Sequence, residues 1–229
     1  MDSKNISVCC AIIISALIIS TGLTRIIKQD RSVTVRGLAE KEVAADLAIW
    51  PLTFTVGNNS LPKLQDDIIN KTELAVKFLK NHSLTEDDYT IQAPGITDYS
   101  LDPYIDHDSI SYNFLGKITV LVRTAKVQLV KQAQADSLKL ASDGITVAQN
   151  YDSRVTYEFT ALNQIKPEMI AEATENARSA AEQFARDSHS KVGKIKKATQ
   201  GLFSIEDAAI GLEERKNIRV VTTVEYSLK

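Results

Sequence analysis

The sequence predicts an α+β domain, a largely antiparallel sheet with about three amphipathic helices packed on one face, preceded by one transmembrane helix. Three observations carry that prediction. Short runs of alternating apolar and polar residues recur along the chain, as half-buried strands require. Three longer segments repeat apolar residues at helical spacing, and the stretch from Asn5 to Thr24 carries no charge.

That uncharged stretch comes first. A helix over its twenty positions rises about 30 Å, the thickness of a bilayer's hydrocarbon core. The expected organisation is a short tail (1–5), a transmembrane anchor or uncleaved signal (6–24), a juxtamembrane linker (25–32) and one domain (33–229). A cleaved signal peptide is the alternative, with Ser20-Thr21-Gly22 as a loose cleavage site. The apolar core runs on into Leu23, Ile26 and Ile27, which favours retention, and neither Cys9 nor Cys10 follows a lipobox. Arg25, Lys28 and Arg31 after the anchor pull the domain towards the cytoplasm, whereas a short tail ahead of an apolar run is the usual exported arrangement. The reading is a single-pass protein with its domain exported across that membrane.

The elements follow in order. Val33-Thr34-Val35 reads as a strand closed by Gly37. Val43, Ala45, Leu47 and Ile49 alternate, and beyond Trp50-Pro51 the phase moves to Leu52, Phe54 and Val56, which predicts a long bulged strand near a sheet edge. Ser60 is placed to cap a helix over Leu61–Asn81 with Leu61, Leu64, Ile68, Ala75 and Leu79 inward. Tyr89–Ala93 and Tyr112–Arg123 read as strands joined by a polar loop. Thr124 opens a second helix reaching Ser142, with Val127, Val130, Ala133 and Leu138 inward. Val155, Tyr157 and Phe159 form a strand. Pro167 fits the first turn of a third helix whose inner stripe is Ala173, Ala177, Ala180 and Phe184, with Gly193 as its stop. Lys194–Ser204 and Asn217–Leu228 close the chain as a hairpin with a charged connection, Glu206–Lys216.

Chemistry is sparse. A net charge of −2 without a basic stripe gives no footprint for nucleic acid. Both cysteines lie in the anchor, so the domain has no disulfide, thiolate nucleophile or thiolate metal site. Gly116-Lys117 lacks a Walker glycine, and neither G-x-G-x-x-G nor G-x-S-x-G occurs. His82, His107 and His189 stand apart from any second histidine at metal-ligand spacing. The candidate site is the loop from Asp98 to Asp108. Asp98, Asp102, Asp106, His107 and Asp108 could supply hard oxygen and nitrogen ligands for a divalent cation, but their spacing matches no EF-hand, and the first reading is a solvated connection held open by its charges. No cofactor and no catalytic constellation is expected.

Four segments carry a resemblance. "VTVRGLAEKEVAADLAIWPLTFTV" (33–56), "LNQIKPEMIAEATENARSAAEQFARDS" (162–188), "ATQGLFSIED" (198–207) and "RVVTTVEYSL" (219–228) resemble the bacterial SIMPL-domain family, and specifically members with a membrane anchor. The resemblance implies a bacterial cell-envelope protein, single-pass in the inner membrane through its N-terminal helix with its domain on the periplasmic side, that assembles into ring- or channel-like homo-oligomers. It also implies a connection with oxidative and envelope stress. It brings no catalytic residues. Its signature positions read as fold determinants: Gly37 for a turn, Val43 and Leu47 for a buried strand face, Ala177 and Phe184 for helix packing. The expected function is a non-enzymatic, self-associating envelope protein, with ligand or metal binding by loop 98–108 as the alternative.

Overall fold

The computed structural model describes residues 13–16, 31–101, 110–148 and 153–229. The predicted anchor lies outside the described residues except for a short helical segment at 13–16. Among the described residues, no helix is long and apolar enough to cross a membrane.

The chain is α+β, as its patterning predicts, but it builds two antiparallel sheets where one was expected. The elements are β1 (Ser32–Ala44), β2 (Leu47–Asn58), α1 (Leu61–Asn81), β3 (Tyr89–Ile91), β4 (Gly95–Asp98), β5 (Phe114–Thr124), α2 (Val127–Ala135), β6 (Thr156–Glu158), α3 (Leu162–Asp187), β7 (Val192–Gln200), β8 (Ser204–Asp207) and β9 (Arg215–Leu228). One sheet runs β1-β9-β7 with β8 against β9; the other runs β3-β5-β2-β6 with β4 against β5. The chain divides into two compact units, residues 41–166 with 204–218, and residues 1–40, 167–203 and 219–229.

The larger unit is built on the β2–β5 ladder, paired from Ala48↔Thr124 to Asn58↔Phe114. One face carries the cross-strand pairs Trp50–Val122, Leu52–Val120 and Phe54–Ile118, all buried. The inward face of α1 adds Leu64, Ile68, Ala75, Phe78 and Leu79 to this core. Trp50, Leu52 and Phe54 therefore share one phase, and the predicted phase change at Pro51 does not occur. The break falls earlier, at Ala45-Asp46, between β1 and β2. Nor is β2 an edge strand, since β5 and β6 flank it. Pro51 is tolerated because Ala148 N–H donates to Thr53 O at 2.8 Å, so the odd-numbered polar groups of β2 face away from β5, and β6 ends its pairing at Ile49.

Helix α1 spans the predicted residues. Ser60 holds the N-cap position without a side-chain bond, and Asn58 Oδ1 accepts from Ser60 N–H instead. The helix ends in a Schellman turn, with Ser83 at φ 61 and Leu84 N–H donating to Leu79 O. The second predicted helix is shorter. It starts after Lys126, whose N–H donates to Thr124 Oγ1, and gives way at Asp136 to a 3₁₀ segment. That change of winding buries Leu140 and leaves Leu138 82% exposed, against expectation.

The smaller unit rests on α3 lying across β1 and β9. Helix α3 begins at Leu162, so Pro167 lies inside it and not in its first turn. Its buried residues are Met169, Ala173, Ala177, Ala181 and Ala185, one every four positions. Such a ridge is inclined to the helix axis, so the contact face rotates along the helix and Phe184 leaves it. Phe184 is 60% exposed, which overturns the expectation that it anchors the core. Ala177 is fully buried and packs with Val35, Ala181, Val224 and Tyr226.

Gly37 has a different role from the predicted turn. It is buried within β1, and a Cβ there would stand 1.8 Å from Ala173 O and 2.4 Å from Ala177 N. Only a bare Cα lets the helix backbone approach this closely. Asn176 Nδ2 donates to Leu38 O at 2.8 Å beside the same seat. Gly193 likewise does not stop α3; it sits in β7 against Ser227, and α3 ends through His189 at φ 52, with Ser190 N–H donating to Ala185 O. Val43 is only half-buried and lies on β1, whereas buried Leu47 lies on β2, so the two do not form one strand face.

Gly37→Ala should destabilise the protein by about 3 kcal/mol, because both colliding atoms are backbone. Phe184→Ala should change stability by less than about 0.5 kcal/mol. Thermal melts of the two variants check both, and the reverse ranking would contradict this packing.

Candidate functional site: a groove between α1 and β3

Helix α1 offers two apolar stripes. The first, Leu64, Ile68, Ala75 and Leu79, is buried on the sheet. The second, Ile69 and Val76, lies a step around the helix and is not covered; Ile69 is 48% exposed. Facing it, β3 ends its sheet and carries Ile91, 50% exposed. Between them lies a groove of about 580 Å³ lined by Ile68, Ile69, Thr72, Val76, Ile91 and Ile118, with Gln92 and Pro94 at one side and Glu73, Lys77 and Lys80 at the rim. Its volume falls in the range of small-ligand and peptide pockets.

The strand forming one wall is pinned at its start by a buried carboxylate. Asp88 Oδ2 accepts from Thr85 N–H at 2.7 Å, from Thr85 Oγ1 at 2.9 Å and from Lys126 Nζ at 2.6 Å; Asp88 Oδ1 accepts from Thr124 Oγ1 at 2.6 Å. Burial opposes the charged form, but the bonds from Lys126, Thr124 and Thr85 prevail and hold the Asp88 carboxyl far below the ordinary aspartate range. This residue gives no sequence signal beyond Thr85-x-x-Asp88, a capping-box spacing around a 3₁₀ turn.

Other polar groups of this unit are likewise committed to partners. His82 Nδ1 lies 2.9 Å from Phe78 O, and its Nε2 lies 3.1 Å from Asp136 Oδ2. Lys139 also donates to Asp136, and these bonds, Lys139 first and His82 second, lower the Asp136 carboxyl. Arg154 pairs with Glu213 at 3.0 Å, Lys131 with Glu214, Lys216 with Asp207, and Arg215 with Glu42 at 2.8 Å. Burial, with Glu214 and Glu213 nearby, pushes the Tyr157 phenol up to about 12. Asp46 accepts from Thr160 N–H at 2.7 Å and Ala161 N–H at 2.9 Å, placing a carboxylate at the positive end of α3. These arrangements fix loops and helix ends.

Of the predicted metal ligands, Asp98 lies at the end of β4, exposed, where its Oδ1 accepts from Ser100 N–H and Oγ. Asp102, Asp106, His107 and Asp108 lie outside the described residues. No cluster of three metal-ligating side chains occurs among the described residues.

Asp88→Asn should cost about 2 kcal/mol at neutral pH, since it leaves the Lys126 ammonium without its carboxylate. The folded-state value lies below the ordinary 3.8, so the stabilisation is complete above about pH 4 and is lost as pH falls through the folded-state value. Urea titrations of both proteins should therefore converge in acid; a constant gap down to pH 2 would contradict the assigned network.

The glycine seat, the alanine ridge and the paired sheets occupy the region in which a family model, SIMPL, described as "Protein of unknown function (DUF541)", matches residues 33–226. No curated protein matches the chain. The chain belongs to the SIMPL family.

Proposed function

We propose that the protein is a non-enzymatic, membrane-tethered component of the bacterial cell envelope that self-associates and supports tolerance of oxidative and envelope stress. The tether rests on the uncharged stretch Asn5–Thr24. The stress role rests on the family resemblance. The observation that carries self-association is the state of β7. This strand ends its sheet, and seven of its nine residues are exposed, so its backbone edge and both faces remain available to another chain. Lys194 and Lys197 on that strand disfavour indiscriminate edge pairing. A specific assembly then needs matching acidic or polar groups from the neighbouring copy.

Two measurements test the reading. A C-terminal alkaline phosphatase fusion should be active; an inactive phosphatase beside an active cytoplasmic reporter at the same position places the domain inside the cell. The full-length protein should give multimers on chemical crosslinking in its membrane, and Ile195→Pro in β7 should reduce them several-fold. A strict monomer at high local concentration contradicts the assembly.

A further inference from the structure

We propose that the groove between α1 and β3 receives an extended polypeptide segment, alternating apolar residues with charged residues of both signs, that adds as a strand to the free edge of β3. This site is separate from β7, and the inference goes beyond the function proposed above.

The main chain supplies the first argument. Gln92 N–H donates to Thr119 O at 3.0 Å, and Thr90 pairs with Leu121, so the even-numbered residues here face β5. In an antiparallel ladder the intervening residue points its N–H and C=O the other way. Ile91 therefore presents a donor and an acceptor outwards, and no described strand lies across from them. A fatty chain leaves those groups without partners, whereas a peptide strand pairs with both.

The side chains supply the second. Ile91 stands opposite Val120, whose side chain faces α1, so Ile91 points over the groove, where Ile69 and Val76 face it. A strand placed beside Ile91 would project every other side chain over the same apolar space. The stretch of α1 that lines the groove, from Ile68 to Lys80, spans twelve steps or about 18 Å, room for about five residues of extended chain.

Charge supplies the third. Lys77 and Glu73, both exposed at the rim, have no ion pair or hydrogen bond among the described residues, while Lys80 already pairs with Glu86 at 2.9 Å. Lys77 and Glu73 together favour a segment carrying both a carboxylate and a basic group beside its apolar positions.

The test uses full-length protein held in amphipol and a fluorescein-labelled hexapeptide in which valine alternates with charged residues, both glutamate and lysine. Two further versions carry N-methyl groups at alternate amides, one in each register. Fluorescence anisotropy should show saturable binding of the parent peptide. One methylated register should bind at least tenfold more weakly and the other nearly as well, because only one row of amides meets β3. Ile91→Pro, which removes an outward N–H and no internal ladder bond, should weaken binding at least tenfold with an unchanged thermal melt, and Lys77→Glu several-fold. No binding at millimolar peptide, or equal binding of both methylated registers, overturns the proposal, and the second comparison holds even if the proline variant fails to fold. Tight palmitate binding that Ile91→Pro leaves unchanged, with no peptide binding, would instead make the groove an amphiphile site and equally overturn it.

Discussion

Backbone-to-backbone contact at Gly37 is the constraint on which the smaller unit depends. The ring of atoms around that missing Cβ belongs to the helix main chain, at Ala173 O and Ala177 N, and cannot rotate aside. The close approach has a counterpart in α3, where each residue meeting the sheet between 173 and 185 is alanine. Larger side chains on that ridge would lift the helix; smaller surfaces elsewhere would leave voids. Gly37 and the alanine ladder are two halves of one seat. The Asn176–Leu38 bond lies beside it and ties the helix to β1.

The larger unit is held differently. Its core is a ladder of large side chains, and its exposed connections are fastened by charged groups buried against partners. Asp88 ties the turn before β3 to Thr124 and Lys126, and Glu214 and Lys216 tie the approach to β9 to Lys131 and Asp207. Buried charges of this sort are costly to leave unpaired and add little when paired, so they specify geometry more than they add stability. Their consequence for function is indirect. These carboxylates and ammonium groups are paired with one another, and β3 is held with its outer edge unpaired among the described residues.

Much of this was legible in the sequence, for identifiable reasons. Helix α1 was readable to the residue because a 3.6-residue period lies between Ser60 and a histidine-serine turn, and β9 because its run is long and alternates. The extent of the third helix was not, because Pro167 imitates a helix start while the chain is already helical from Leu162. Phe184 misled through its size: an ideal axial stripe includes it, but the observed ridge advances four residues at a time and rotates away. Gly37 and Gly193 read as punctuation, although both lie within strands where another group comes close. Strands β4 and β8, four residues each, are too short to show a period. The groove had no sequence signal, because Ile69, Val76 and Ile91 become neighbours only when α1 settles on β5; the acidic loop drew attention because its charges are adjacent along the chain.

Any use of the open strand edges and the groove depends on both units being stable platforms. The glycine seat is the most direct point at which to examine this. Native-state hydrogen exchange of the full-length protein should show the amides of Val35 to Ala39 and those of Ala173 to Ala181 opening together, at one free energy close to that of global unfolding. If β1 instead opens at a much lower free energy while α3 stays protected, helix and strand are not locked through Gly37, and the account of this fold is wrong.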